Sequence, residues 1–137
     1  MIYNGVCAVV VTFHPDSEVL ANLSQVHQQV QSVVVVDNGS HLESLAPLRA
    51  ASASAGFHLI ENGENLGVAT ALNIGIRQAQ ALGAVWVLLF DQDSALPPVL
   101  LKPCWTALPP AAGAATLRFS FLAISTSAWD LRFLPPE

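Results

Sequence analysis

The chain has 137 residues, 53% of them hydrophobic and 11% charged, which suits one compact domain and is too apolar for a disordered chain. Its formal net charge is −5, and its five basic residues, Arg49, Arg77, Lys102, Arg118 and Arg132, are scattered, which excludes the concentrated cationic footprint of a nucleic-acid binder. An anionic nucleotide remains compatible with this balance if a metal ion and a few backbone N–H groups supply the local charge.

In chain order, the N-terminus MIYNGVCAVVVTFHP lacks the basic start and small-residue cleavage site of a signal peptide, so the cytoplasm is the expected location. No uncharged apolar run reaches the ~18 residues that cross a bilayer. Val6 to Thr12 (VCAVVVT) is a β-branched run that predicts a strand. Cys7 within it and distant Cys104 form neither a ligand spacing nor a disulfide framework, which predicts a buried, reduced thiol. Asp16 to Val30 follows Pro15, opens with acidic residues and carries Val19, Leu23, Val26 and Val30 at helical spacing. Val33 to Val36 (VVVV) is a second strand ending at Asp37-Asn38-Gly39-Ser40.

Leu42 to Ala55 predicts an Ala-rich helix, and Phe57 to Ile60 a short strand. Gly67 to Leu82 predicts a helix with Val68, Leu72, Gly75, Ala79 and Leu82 along one face, followed by a fourth strand, Ala84 to Phe90. Alternation of strands apolar on both faces with helices predicts an α/β fold: a mostly parallel sheet between two helical layers, joined by right-handed crossovers. Residues 1–100 form this unit. Residues 101–137 are an Ala- and Pro-rich tail whose one regular segment is a strand from Leu117 to Ile124. The composition shift near Leu101 is what a truncated or frame-shifted gene would produce. An incomplete sheet exposes an apolar face or an unpaired edge, which predicts a homo-oligomer.

In an open parallel sheet, ligands bind at the carboxyl ends of the strands. Polar residues fall there four times: Thr12 and His14, Asp37 to Ser40, Glu61 to Gly67, and Asp91 to Ser94. One polar strand end is ordinary, whereas four on one rim point to a ligand. Asp37 to Ser40 also reads as a tight turn, but a carboxylate abutting VVVV is placed to accept from a ligand ring N–H. Asn65-Leu66-Gly67 leads into a helix, where it serves either as a simple cap or as an anion site for a diphosphate.

Asp91-Gln92-Asp93 admits several chemistries. Two carboxylates two positions apart on an extended segment suit a hard cation such as Mg²⁺, whose other ligands are water and phosphate. A phosphoryl-accepting pair, as in haloacid-dehalogenase phosphatases, or a receiver-type acidic pair belongs after a first strand, and this pair follows a fourth. A solvated strand end is the bland reading.

VVVTFHP at 9 to 15, VVVVDNGS at 33 to 40, ENLGVATALNIGI at 64 to 76 and LLFDQDS at 88 to 94 resemble, in order, the motifs of family 2 glycosyltransferases with the Rossmann-like GT-A fold. The nearest subgroup is the bacterial rhamnosyltransferases that use dTDP-rhamnose. The resemblance implies that Thr12 and His14 line the nucleotide pocket, that Asp37, followed by Asn38, reads the base, and that Asn65, Gly67 and Asn73 border the nucleotide-sugar. It implies that Asp91 and Asp93 form a DXD element holding Mg²⁺ or Mn²⁺, with Asp91 also near the ribose. It further implies transfer with inversion to a saccharide or lipid-linked acceptor, at the inner face of the cell membrane. The base that activates the acceptor comes, in that family, from a later acceptor-binding half. Here only Asp130 and Glu137 follow Asp93 as carboxylates, and Asp130 is the candidate base. A non-catalytic nucleotide-binding module of the same fold is the alternative, and a DxD phosphatase the second.

Overall fold

The computed structural model describes residues 2–94 and 121–125. In chain order these form β1 (Tyr3–Thr12), α1 (Glu18–His27), β2 (Val30–Asp37), α2 (Leu42–Ala55), β3 (His58–Glu61), α3 (Val68–Ala81), β4 (Trp86–Asp91) and β5 (Phe121–Ser125). The strands build one sheet in the order β3-β2-β1-β4-β5. The first four are parallel, and β5 pairs antiparallel with β4 through Phe90↔Phe121 to Trp86↔Ser125.

Side-chain alternation along the strands divides the core in two. Val6, Ala8 and Val10 of β1, with Val33 and Val35 of β2, pack against Val19, Leu23 and Val26 of α1 and Leu48 of α2. Cys7 and Val9, with Val34 and Val36, pack against Ala71, Ile76 and Ala79 of α3. The unbroken VVVV run follows from this. Each face of β2 lies under a helix, all four valines are fully buried, and each contributes about 1.5–3 kcal/mol of burial. Small residues set the approach of α3: a Cβ at Gly75 would fall on the Val9 Cγ1 methyl and lie 3.1 Å from Val36 Cγ2.

The three-layer α/β/α architecture is the expected one, with differences at element ends. Val30 opens β2, paired with Tyr3, instead of closing α1. Its apolar side chain reaches the same core cluster from the sheet that helical spacing had assigned to the helix. Val68 is 58% exposed, and the buried stripe of α3 runs through Ala71, Gly75, Ile76 and Ala79. The strand expected at Leu117 to Ile124 is β5; residues 117–120 lie outside the described residues, as do Lys102, Cys104 and Asp130.

The topology also locates a crevice. From β1 the chain moves outward through β2 to β3 with α1 and α2 on one face, then returns past β1 to β4 with α3 on the other. Right-handed crossovers running in opposite directions give this arrangement. The order reverses between β1 and β4, and such a switch point opens a crevice at the carboxyl edge. Thr12 to His14 stand on one side of it and Asp91 to Asp93 on the other.

Candidate functional site

Parallel register aligns the strand ends. Thr12 pairs with Asp37, Asp37 with Glu61, and Asp91 sits one step back beside Val11. The four rim segments expected to converge therefore lie along one edge.

Asp37 is fully buried, and its carboxylate is fully engaged by its own chain. Oδ1 accepts from the Thr12 hydroxyl at 2.9 Å and from the Ser40 hydroxyl, while Oδ2 accepts from the N–H groups of Gly39 at 3.2 Å and Ser40 at 2.8 Å. A carboxylate offers about four lone-pair sites, and here each oxygen accepts two bonds from its own chain. Asp37 fixes the turn, as Asp side chains do when they bond backbone two and three residues on. Thr12, also fully buried, serves the same carboxylate, and its carbonyl accepts from the Asn38 N–H at 2.8 Å.

Asn38 ties this turn to the β3–α3 loop. Its amide donates to Asn65 Oδ1 at 2.9 Å and accepts from the Asn62 amide at 3.1 Å and the Leu66 N–H at 3.0 Å. Asn65 Oδ1 also accepts from the Gly67 N–H at 2.9 Å. At Gly39, φ is +92° and a Cβ would lie 2.6 Å from the Glu64 carbonyl carbon, so the two loops touch backbone to backbone. Gly67 is the N-cap of α3 and, having no side chain, leaves the helix without a side-chain cap. The first α3 backbone bond is Ala71 N–H to the Gly67 carbonyl, which leaves the N–H groups of exposed Val68, Ala69 and Thr70 without an acceptor among the described residues. Asn73, in the second turn of α3, is half-buried and stands apart from this network.

His14 is exposed and holds a positive φ of 45°. Its N–H donates to the Ser40 hydroxyl at 2.8 Å, and its Nδ1 accepts from the His41 N–H at 3.2 Å. That bond assigns the ring proton of neutral His14 to Nε2. The Phe13 and His41 rings flank it, with centroids 4.1 and 4.2 Å away.

Asp91 and Asp93 are both exposed, and neither carboxylate is hydrogen-bonded or ion-paired to a described residue. Between them, Gln92 points the other way: its Oε1 accepts from the Phe13 N–H at 2.8 Å, and its carbonyl accepts from the Asn22 amide at 3.3 Å. No group of three metal-ligating side chains occurs among the described residues. The acidic pair would therefore need phosphate oxygens or water to complete a cation's shell, the usual way Mg²⁺ is held. Glu61, at the end of β3, is taken by Arg49 in a two-point ion pair with both contacts at 2.7 Å. The guanidinium lowers the Glu61 pKa, and that carboxylate is not part of the acidic pair. Cys7 is buried and burial raises its thiol pKa, which leaves it unreactive.

Ser40, Asn62 and Gln92 fell within the expected rim segments, but the linear pattern assigned none of them a role of its own. Ser40 stands three residues after Asp37, a spacing that signals a side-chain turn. Gln92 had a weaker signal, since alternation places it opposite its two acidic neighbours.

The family model described as glycosyl transferase family 2 matches residues 7–118. Over 95 residues the chain is 38% identical to dTDP-rhamnosyl transferase RfbF of Shigella flexneri, a match spanning 66% of this chain and 30% of that protein. Among solved structures, the mannosyltransferase PcManGT from Pyrobaculum calidifontis, in complex with GDP-Man and Mn²⁺, superposes with a TM-score of 0.74 at 20% identity, over 89% of this chain and 44% of that one. S. aureus TarS 1-349 in complex with UDP gives a TM-score of 0.61 at 20% identity, over 74% of this chain and 31% of that one.

Proposed function

The chain belongs to glycosyl transferase family 2, and from that premise we propose that it is the donor-binding part of an enzyme that transfers a sugar from a nucleoside-diphosphate sugar to a saccharide or lipid-linked acceptor. The observation that carries this reading is the convergence of two features on one edge of the sheet: an acidic pair and a helix N-terminus whose N–H groups, like those carboxylates, have no partner among the described residues. Those are the two devices by which an acidic protein holds a diphosphate. The relative that matches over 95 residues is a dTDP-rhamnosyl transferase, which favours dTDP-rhamnose as donor.

In this reading Thr12 and Asp37 form the buried floor of the nucleotide pocket. His14, flanked by Phe13 and His41, forms its wall and offers Nε2–H as a donor. Asn38 and Asn65 hold the loop that presents the N-terminus of α3 from Gly67 onward to the diphosphate, and Asn73 borders the sugar from the next turn. Asp91 and Asp93 fit Mg²⁺ or Mn²⁺, since both are exposed and free of other partners among the described residues. Such an ion, when bound, would neutralise charge on the departing diphosphate. An acceptor hydroxyl would attack the anomeric carbon with inversion. In the same reading the enzyme works in the cytoplasm, against the inner face of the membrane that carries its acceptor.

Calorimetric titration with dTDP, UDP and GDP in the presence of Mn²⁺ tests the assignment. Binding of dTDP that disappears with EDTA is expected, and a folded protein that binds none of the three with metal would overturn it.

A further inference from the structure

We infer that Gln92 is a positioning residue for the acidic pair, clasping it across the switch point of the sheet; the inference rests on the metal-dependent reading proposed above. The turn after β4 is short, closed by the Ser94 N–H donating to the Asp91 carbonyl at 3.0 Å. Asp91 and Asp93 are exposed, so packing does little to hold their side chains. Gln92 supplies the missing restraint from two directions. Its side chain reaches over the crevice to the Phe13 N–H, 79 residues away in sequence, and its carbonyl receives the Asn22 amide of α1.

The two bonds act at different places. The Phe13 bond joins the turn to the β1 rim, where Thr12 and His14 stand, and so sets the distance between the acidic pair and the nucleotide wall. The Asn22 bond fixes the peptide between Gln92 and Asp93, and with it the direction in which Asp93 leaves the turn. Behind the turn lies a small, mainly apolar cavity of about 10 Å³ lined by Val10, Leu23, Phe90 and Asn22, among others. Partners of this kind, one step removed from a metal, typically alter affinity by about 10–100-fold when lost.

The test uses the full chain and Mn²⁺ with dTDP, with free Mn²⁺ read by electron paramagnetic resonance. Gln92→Leu keeps the volume and removes the acceptor. Asn22→Leu removes the second bond from a residue on α1, outside the acidic turn. Each is expected to weaken Mn²⁺ binding by about tenfold or more, with little change in the unfolding midpoint. Exchange of the Phe13 amide proton should speed up in Gln92→Leu and stay slow in Gln92→Glu, which keeps an acceptor. Wild-type Mn²⁺ affinity in both leucine variants, alongside its loss in Asp93→Asn, would overturn this inference alone. Failure of the wild-type chain to bind Mn²⁺ with dTDP would overturn the metal reading and this inference together.

Discussion

Thr12 shows how much one hydroxyl does at this edge. It is fully buried, and it supplies one of the four donors that satisfy the Asp37 carboxylate. Thr12→Val preserves shape but leaves an acceptor on a buried carboxylate short of a partner. Such a loss costs about 1–3 kcal/mol, and a matching fall in urea-unfolding free energy is the expected measurement. Residue-level roles were only partly legible in the sequence. That Asp37 follows VVVV was plain, and its local donors on Gly39 and Ser40 follow from a turn spacing, but no linear pattern shows the Thr12 hydroxyl of β1 as its fourth donor. Asn65 was readable as either cap or ligand neighbour, and the structure gives its side chain to Asn38 and Gly67.

Elements meet here through small residues and one ion pair. Gly75 sits against Val9 and Val36 with no room for a methyl. In an open helix Gly→Ala would gain up to about 1 kcal/mol, whereas overpacking of this kind costs about 1–3 kcal/mol. Gly75→Ala should therefore lower the unfolding midpoint, and calorimetry reads the sign directly. The second joint is Arg49 of α2 with Glu61 of β3. Arg49 depresses the Glu61 pKa, so the pair's contribution is present above the unfolded carboxylate value and is lost as pH falls through the lower folded value. Both side chains are well exposed, and solvent screening keeps the effect small. The small melting-temperature gap between wild type and Glu61→Gln should persist from neutral pH to the top of the carboxylate range and close below it. Helix and strand identities were legible because hydrophobic periodicity reports which face is buried. Their ends were less so: Val30 satisfies the same core from a strand, and Val68 opens α3 without joining its buried stripe.

At the scale of the molecule, the outermost strands among the described residues are short, four residues in β3 and five in β5. An outermost strand that pairs on one side only presents its other row of backbone N–H and C=O groups to another copy. A dimer or larger assembly is expected by light scattering at micromolar concentration, and a monomer there would contradict it. The matched region spans 30% of the curated rhamnosyl transferase.

The sequence by itself determined the α/β alternation, the parallel sheet and the rim on which its polar residues gather, because burial periodicity and strand ends are local properties of the chain. It also carried the family, through four short motifs in order. Tertiary structure alone decided that Thr12 bonds Asp37, that Asn38 and Gly39 bring two loops together, and that Gln92 spans the crevice to Phe13. The Thr12, Asn38 and Gln92 bonds among these join residues 24 to 79 positions apart, while the Gly39 and Ser40 bonds to Asp37 are local. A donor and an acceptor so distant in sequence become partners only once the sheet order has placed their strands side by side.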